Sequence, residues 1–412
     1  MLYHAYEMQR ATLGPMRLFA SSVLAMLELP GNPLRQTPDG RYTAAALNSF
    51  EHTTRQFGKP EFGYGEVTID GEQVAIAEQI VARRPWGDLL RFRRTIGGSD
   101  IARNATDPKV LLVAPMSGHY ATLLRGTVEA FLPDHEVFIT DWHDARQMML
   151  LEPVFDLDDY IDYVVDFLKL LGPETHVLAV CQPAVPVLAA VALMNEGTPD
   201  AAPRSMTLIG GPIDTREAPT AVNTFAKDHD MDWFRAKTIH SVPVGNPGWM
   251  RQVYPGFLQL AGFMAMNLER HVTAHWEMFQ HLVEGDGEPL AAKRRFYDEY
   301  RSVMDLSAEF YLMTISKVFH EHELPRGLFM HRGHRVDAAA IERTAMLTIE
   351  GERDDISGIG QTRAAHAMTS NLPASMRHHI EQPEVGHYGL FNGRRFRTRI
   401  APAIKAFMQS HA

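Results

Sequence analysis

The sequence holds a single cysteine, Cys181, among its 412 residues. One thiol excludes an internal disulfide, so a reducing cytoplasm is the compartment that suits the chain. Basic charge is also short. Forty Lys and Arg stand against 50 Asp and Glu, a formal net charge of −10, which excludes the global positive field that nucleic acid binding draws on. Long apolar runs are missing, so no transmembrane segment is expected. The apolar stretch Leu18–Leu27 is short, follows an early Glu7 and has no clear cleavage site. It reads as an amphipathic packing helix rather than a signal peptide. No Gly-x-Gly-x-x-Gly follows a strand, and no phosphate loop is present. His320-Glu321-His322-Glu323 and His331-Arg332-Gly333-His334 do not form His-Glu-x-x-His, and alternate residues do not share a helix face. Both read as polar surface, as do the basic clusters Arg91–Arg94 and Arg394–Arg397, and no metal is expected. What is present is apolar content: 45% of residues are hydrophobic, enough for the core of one large domain with insertions.

Residues 1–60 read as an N-terminal helical extension. Residues 61–105 read as β-rich, with Glu66–Ile69 and Gln73–Ala77 joined by Asp70-Gly71, a good hairpin signal. From Val110 strands and helices alternate. Strands are expected at 110–114, 137–141, 176–180, 206–209, 345–349 and 378–381. Helices are expected at 120–131, 157–171, 183–194, 360–368 and 394–408. Such alternation implies a parallel sheet covered on both faces. The pattern breaks over residues 215–335, a stretch rich in aromatics and methionines that reads as a helical cap. Most of these side chains suit the cap's own core. Trp249 and Tyr254, set among Gly and Pro, are the candidates for contact with substrate.

Cys181 sits where the apolar run Val177-Leu178-Ala179-Val180 meets the small-residue helical stretch Gln182-Pro183-Ala184. A buried strand that turns sharply into a helix presents a nucleophile this way in Gly-x-Ser-x-Gly elbows. Here Ala179 and Pro183 take the glycine positions. Ala is still small, and Pro is favoured in a first helical turn. A thiol at a helix N-terminus is a good nucleophile. Taken alone, a lone cysteine after an apolar run is more often a buried structural one. The acid and the histidine should follow in that order. Gly351-Glu352-Arg353-Asp354-Asp355 ends a strand, making Asp354 the candidate acid and Asp355 its rival. Gly386-His387-Tyr388-Gly389 then presents His387 after the last strand. Backbone N–H groups that hold a developing oxyanion are expected at Gln182 and, in the loop after an early strand, at Met116 or Ser117. Ser117 as a rival nucleophile lacks the elbow context. The ordered set implies an α/β-hydrolase fold: residues 61–214 and 336–412 form the core and residues 215–335 the cap.

The segments Ala114-Pro115-Met116-Ser117-Gly118-His119, Thr140-Asp141-Trp142, Leu178–Pro183 and Glu350–Ser357 resemble the intracellular polyhydroxyalkanoate (poly-3-hydroxybutyrate) depolymerases, and the resemblance runs through most of the chain. It implies a Cys–His–Asp triad at Cys181, His387 and Asp354. It also implies a cytoplasmic enzyme at the surface of stored polyester granules that needs no cofactor. The polyester synthases share a Cys elbow but keep its glycines, so Ala179 and Pro183 favour a depolymerase. A synthase-like acyltransferase, a non-catalytic granule protein and a homo-oligomer remain open.

Overall fold

The computed structural model describes residues 2–266, 268–284, 294 and 296–411. Two helices, α1 (Leu2–Glu28) and α2 (Pro38–Thr54), form the N-terminal extension. Strands β1 (Glu66–Ile69), β2 (Glu72–Arg84), β3 (Gly87–Ile96) and β4 (Ser99–Asp100) come next. Asp70 and Gly71 at the β1–β2 turn have φ of 51° and 85°. The turn needs two left-handed residues, which is why Asp-Gly marks it. The alternation follows, with β5 (Lys109–Val113), α3 (Arg125–Phe131), β6 (Glu136–Trp142), α4 (Leu157–Leu171), β7 (Thr175–Val180), α5 (Ala184–Gly197) and β8 (Ser205–Ile209).

Between β8 and the next long strand lies the inserted segment. Its helices are α6 (Ala221–Lys227), α7 (Met231–Thr238), α8 (Gly256–Met266) and α9 (Leu268–Glu284), followed by Ala308–Thr314. An all-helical segment was expected. It also contains a three-stranded sheet of β9 (His240–Ser241), β10 (Gln252–Tyr254) and β11 (Leu306–Ser307), and a hairpin of β12 (Met330–His331) and β13 (His334–Arg335). Strands of two or three residues are too short to leave a periodic pattern. The part of the expected cap at 285–293 lies outside the described residues. Strands β14 (Ala345–Gly351) and β15 (Arg377–Gln382) and a helical stretch ending in Ala401–Ser410 complete the fold.

Ten strands share one sheet, ordered β1-β2-β3-β6-β5-β7-β8-β14-β15 with β4 on β3. The pairs from β6 to β15 are parallel, and those from β1 to β6 antiparallel. Strands β6, β7, β8 and β14 are buried at every position, as parallel strands covered on both faces must be. This is the α/β-hydrolase fold class that the ordered set of Cys181, Asp354 and His387 implied. The chain runs from β5 to β6 on one side and later returns to place β7 on the other. The order reverses there, and such a reversal opens a crevice at the carboxyl ends of the strands.

Two expectations about this core are corrected. The basic run 91–94 is not all surface: Arg94 is 0% exposed. Strand alternation sends it to the same face as buried Phe92, where Nη1 pairs with Asp107 at 2.7 Å and Nε donates to Asn104 at 2.9 Å. The helix expected at 360–368 is reduced to Ala365–Met368. The buried Glu350 carboxylate accepts the Gly360 and Arg363 N–H groups at 2.9 and 2.8 Å, so turns replace the first helical turns.

The N-terminal helices dock on the inserted segment. The Tyr3 hydroxyl donates to the Asp305 carboxylate, Tyr6 stacks on Phe257 at 3.9 Å, and His52 pairs with Asp298 at 2.8 Å. Burial and then the neighbouring Asp144 push Asp305 up to about 7.

Removing one partner of a buried pair leaves an uncompensated charge. Asp107→Ala should therefore lower the unfolding free energy by about 3 kcal/mol, read from urea denaturation. A loss below about 1 kcal/mol would mean that Asn104 and the backbone suffice for Arg94.

Candidate active site

Cys181 is the turn between β7 and α5, and its φ is +67°. A side chain in the left-handed region costs about 1–2 kcal/mol, so the surroundings must impose it. The Cys181 N–H donates to the Ile209 carbonyl at 2.7 Å, and the Cys181 carbonyl accepts the Ala184 N–H at 3.0 Å. Pro183, at φ −57°, enters α5 already in helical geometry. Small residues allow the close passage. Ala179 is fully buried, and a Cβ on Gly211 would fall 2.1 Å from the Ala184 Cβ.

The acid loop follows β14. Asp354 Oδ1 accepts the N–H groups of Ile356 and Ser357 at 2.9 and 2.8 Å. Its Oδ2 accepts from His387 Nδ1 at 2.8 Å. The Asp354 side chain is 0% exposed and that of His387 4%, whereas Asp355 is exposed. Between the two candidate carboxylates, the structure joins Asp354 to the imidazole. Because Nδ1 donates to a carboxylate, the ring turns Nε2 away from it, and Cys181 lies near enough to act on the ring electrostatically. Burial disfavours the imidazolium. The charges of Asp354 and Cys181 and the hydrogen bond to Asp354 outweigh it, holding His387 well above the usual imidazole range. Gly210, at φ +56°, passes beside this pair, and a Cβ there would sit 3.3 Å from both Asp354 and His387.

The loop after β5 is fixed from three sides. The Ala114 N–H donates to Thr140 Oγ1 at 2.9 Å. The Ala114 carbonyl accepts both Trp142 Nε1 at 2.8 Å and Tyr160 Oη at 3.0 Å. From the inserted segment, the Met304 N–H donates to the Gly118 carbonyl at 2.7 Å, and buried His119 donates from Nε2 to the Tyr300 carbonyl at 3.0 Å. Burial lowers His119 to about 4, so it serves as a neutral donor. Of the two oxyanion donors expected in this loop, Met116 has its N–H engaged by Gln182 Oε1 at 3.4 Å. The Ser117 and Gln182 backbone N–H groups have no hydrogen-bond partner among the described residues. The side chain of Gln182 was missed in the sequence, where only its backbone was considered.

Trp249 and Tyr254 are not joined to Cys181, His387 or Asp354 by any described ring contact or hydrogen bond. Trp249 is half exposed, in a loop seated on residues 145–148. Tyr254 is not in a loop; it belongs to β10 and stacks on Tyr311 at 4.0 Å. The histidine clusters disperse. His320 bonds the Ala226 carbonyl, His322 bonds Thr215, His331 pairs with Asp162 and His334 with Glu196.

His387 titrates near 6.5 when unfolded and higher when folded. Its contribution to stability is therefore full below about pH 6.5 and is lost as pH rises through the folded value. Asp354→Asn removes the strongest influence that raises it. NMR titration of the His387 ring should show a lower midpoint in that variant, together with a shallower fall of stability with pH. An unchanged midpoint would remove Asp354 as the cause.

Residues 210–412 match the family described as PHB de-polymerase C-terminus, a stretch that includes Asp354 and His387 and begins after Cys181. No curated protein matches the chain. Among solved structures, a hydrolase from Pseudomonas aeruginosa PA01 is similar, with 13% identity, 80% of this chain and 98% of that one covered, and a TM-score of 0.46. A Paleococcus ferrophilus monoacylglycerol lipase is also similar, with 13% identity, 74% and 96% covered, and a TM-score of 0.43. So is a thermophilic esterase from Thermogutta terrifontis, with 14% identity, 87% and 100% covered, and a TM-score of 0.41. Residues 210–412 thus resemble that family, and the sheet topology gives the chain an α/β-hydrolase fold.

Proposed function

We propose that the protein is an intracellular polyhydroxyalkanoate depolymerase that cleaves polyester ester bonds by nucleophilic attack from Cys181. The observation that carries this reading is the buried Asp354–His387 pair beside a thiol held in left-handed backbone at the end of β7. Such a turn costs energy at every instant of the folded state, and strained positions of this kind cluster at functional sites.

His387 takes the thiol proton and stands as imidazolium beside the thiolate, its ring oriented by Asp354. The sulfur attacks the ester carbonyl. A C–S bond forms, and the carbonyl electron pair moves to oxygen, where backbone N–H groups hold it. Collapse breaks the C–O bond, and the leaving alkoxide takes the proton from His387. Water then attacks the thioester with His387 as base, the C–S bond breaks and the acid is released. The inserted segment would grip the polymer through apolar side chains, with Trp249 and Tyr254 as contacts. Granule attachment is supported by α1, which leaves Leu18 and Phe19 73% and 71% exposed. No helix among the described residues is long and apolar enough to cross a membrane.

Cys181→Ala should abolish hydrolysis of amorphous poly-3-hydroxybutyrate granules while leaving the circular dichroism spectrum unchanged. Near-normal product release would overturn the mechanism. Asp354→Asn should reduce turnover by up to ~10⁴-fold and Asp355→Asn far less. The reverse order would reassign the acid.

Replacing Trp249 or Tyr254 by Ala should weaken action on granules more than on a short soluble ester, because only the long chain uses distal contacts. Equal losses on both substrates would mean that these residues support the fold alone.

A further inference from the structure

Gln182 directly follows Cys181, and its side chain folds back toward the loop after β5. The Met116 N–H donates to Gln182 Oε1 at 3.4 Å. A backbone N–H can only donate, so the carboxamide must turn its oxygen toward Met116 and its nitrogen away. That nitrogen, Nε2, is buried and has no hydrogen-bond partner among the described residues. A buried donor left unpaired costs about 1–3 kcal/mol, and its persistence calls for an explanation. The carboxamide lies in the gap between the loop after β5 and the turn after β7. The carbonyl oxygen of an ester attacked by Cys181 has to be accommodated in this same gap.

We infer that the Gln182 side chain is a catalytic residue of the oxyanion hole: Oε1 ties up the Met116 N–H, and the Nε2–H donates in its place to the oxyanion. This deepens the proposed function and rests on Cys181 as the nucleophile. As sulfur attacks, the C–S bond forms and the carbonyl π pair becomes a full charge on oxygen. The unpaired Nε2–H gains its acceptor at that moment. A donor unsatisfied in the resting enzyme and satisfied in the transition state is differential stabilisation, which raises kcat rather than lowering KM. The remaining hole is the backbone N–H of Gln182 itself and that of Ser117, both without a described partner. The carboxamide also locks the hole's shape, because Oε1 holds the loop after β5 to the residue that follows the nucleophile.

Two variants and two reactions test the assignment. Gln182→Met keeps the length of the side chain and removes both polar ends. Gln182→Glu keeps an acceptor for the Met116 N–H and removes the Nε2 donor. Acylation is followed with a p-nitrophenyl ester in single turnover. Alkylation by iodoacetamide is followed in parallel, with mass spectrometry locating the label at Cys181. Alkylation displaces iodide and creates no oxyanion, so it reads the thiol alone. Gln182→Met should slow acylation by about 10²–10³-fold with KM little changed, and should alkylate at the wild-type rate. Gln182→Glu should be at least as slow in acylation. If Gln182→Glu acylates like wild type, the Nε2 donor is not used and the inference falls. If Gln182→Met loses acylation and alkylation equally, the side chain acts by supporting Cys181, and the inference also falls. If instead Cys181→Ala still releases p-nitrophenol at the wild-type rate, the nucleophile assignment itself fails, whatever Gln182 does.

Discussion

The left-handed backbone of Cys181 constrains its neighbours more than any other feature of the site. To hold a side chain at φ +67°, β7 and α5 must meet at an acute turn, and whatever passes that turn must be nearly featureless. Gly211 leaves no room for a methyl beside Ala184, and Gly210 runs close past Asp354 and His387. The end of β8 is thus a bare strip of backbone between the nucleophile on one side and the acid–base pair on the other. The Ile209 carbonyl, just before the strip, accepts the Cys181 N–H. The Gly211 N–H donates to Thr362 Oγ1 at 2.8 Å, which anchors the strip to the region beyond the acid loop. Strain at one residue therefore reaches β7, α5, β8 and the turn after β14.

Much of this was legible because buried parallel strands are rich in apolar residues, so β5 and β7 stand out as short apolar runs, whereas the edge strand β15 is mostly polar. The order of Cys181, Asp354 and His387 along the chain was legible too, because each follows a strand: β7, β14 and β15. The choice between Asp354 and Asp355 rested on spacing from Gly351, and the Asp354 N–H does close a turn onto the Gly351 carbonyl at 3.1 Å.

What escaped the sequence is long-range pairing of polar groups. Arg94 looks like a surface arginine until Asp107 and Asn104 are seen beside it. Glu350 gives no local hint that its carboxylate replaces part of a helix. The Gln182 side chain bonds a residue 66 positions away, and glutamine in a turn carries no pattern. The strands β9, β10 and β11 pair at separations that only the folded chain reveals, and this moved Tyr254 from an expected loop into a strand. Apolar periodicity is a local signal, whereas hydrogen-bond complementarity between distant segments is not.

The hydroxyl of Tyr3 and the carboxylate of Asp305 are 302 positions apart, and that separation bears on how the molecule is made. A ribosome releases α1 well before its docking surface, because Asp305 lies 302 positions after Tyr3. During that interval Tyr3 and Tyr6 have no Asp305 or Phe257 to meet. Contacts of such high sequence separation close late and slow folding. The nascent chain therefore carries an unsheltered aromatic helix end while the central sheet assembles, the kind of intermediate that is prone to associate with its own kind. α1 can therefore settle on the inserted segment only after Phe257 and Asp305 have been made.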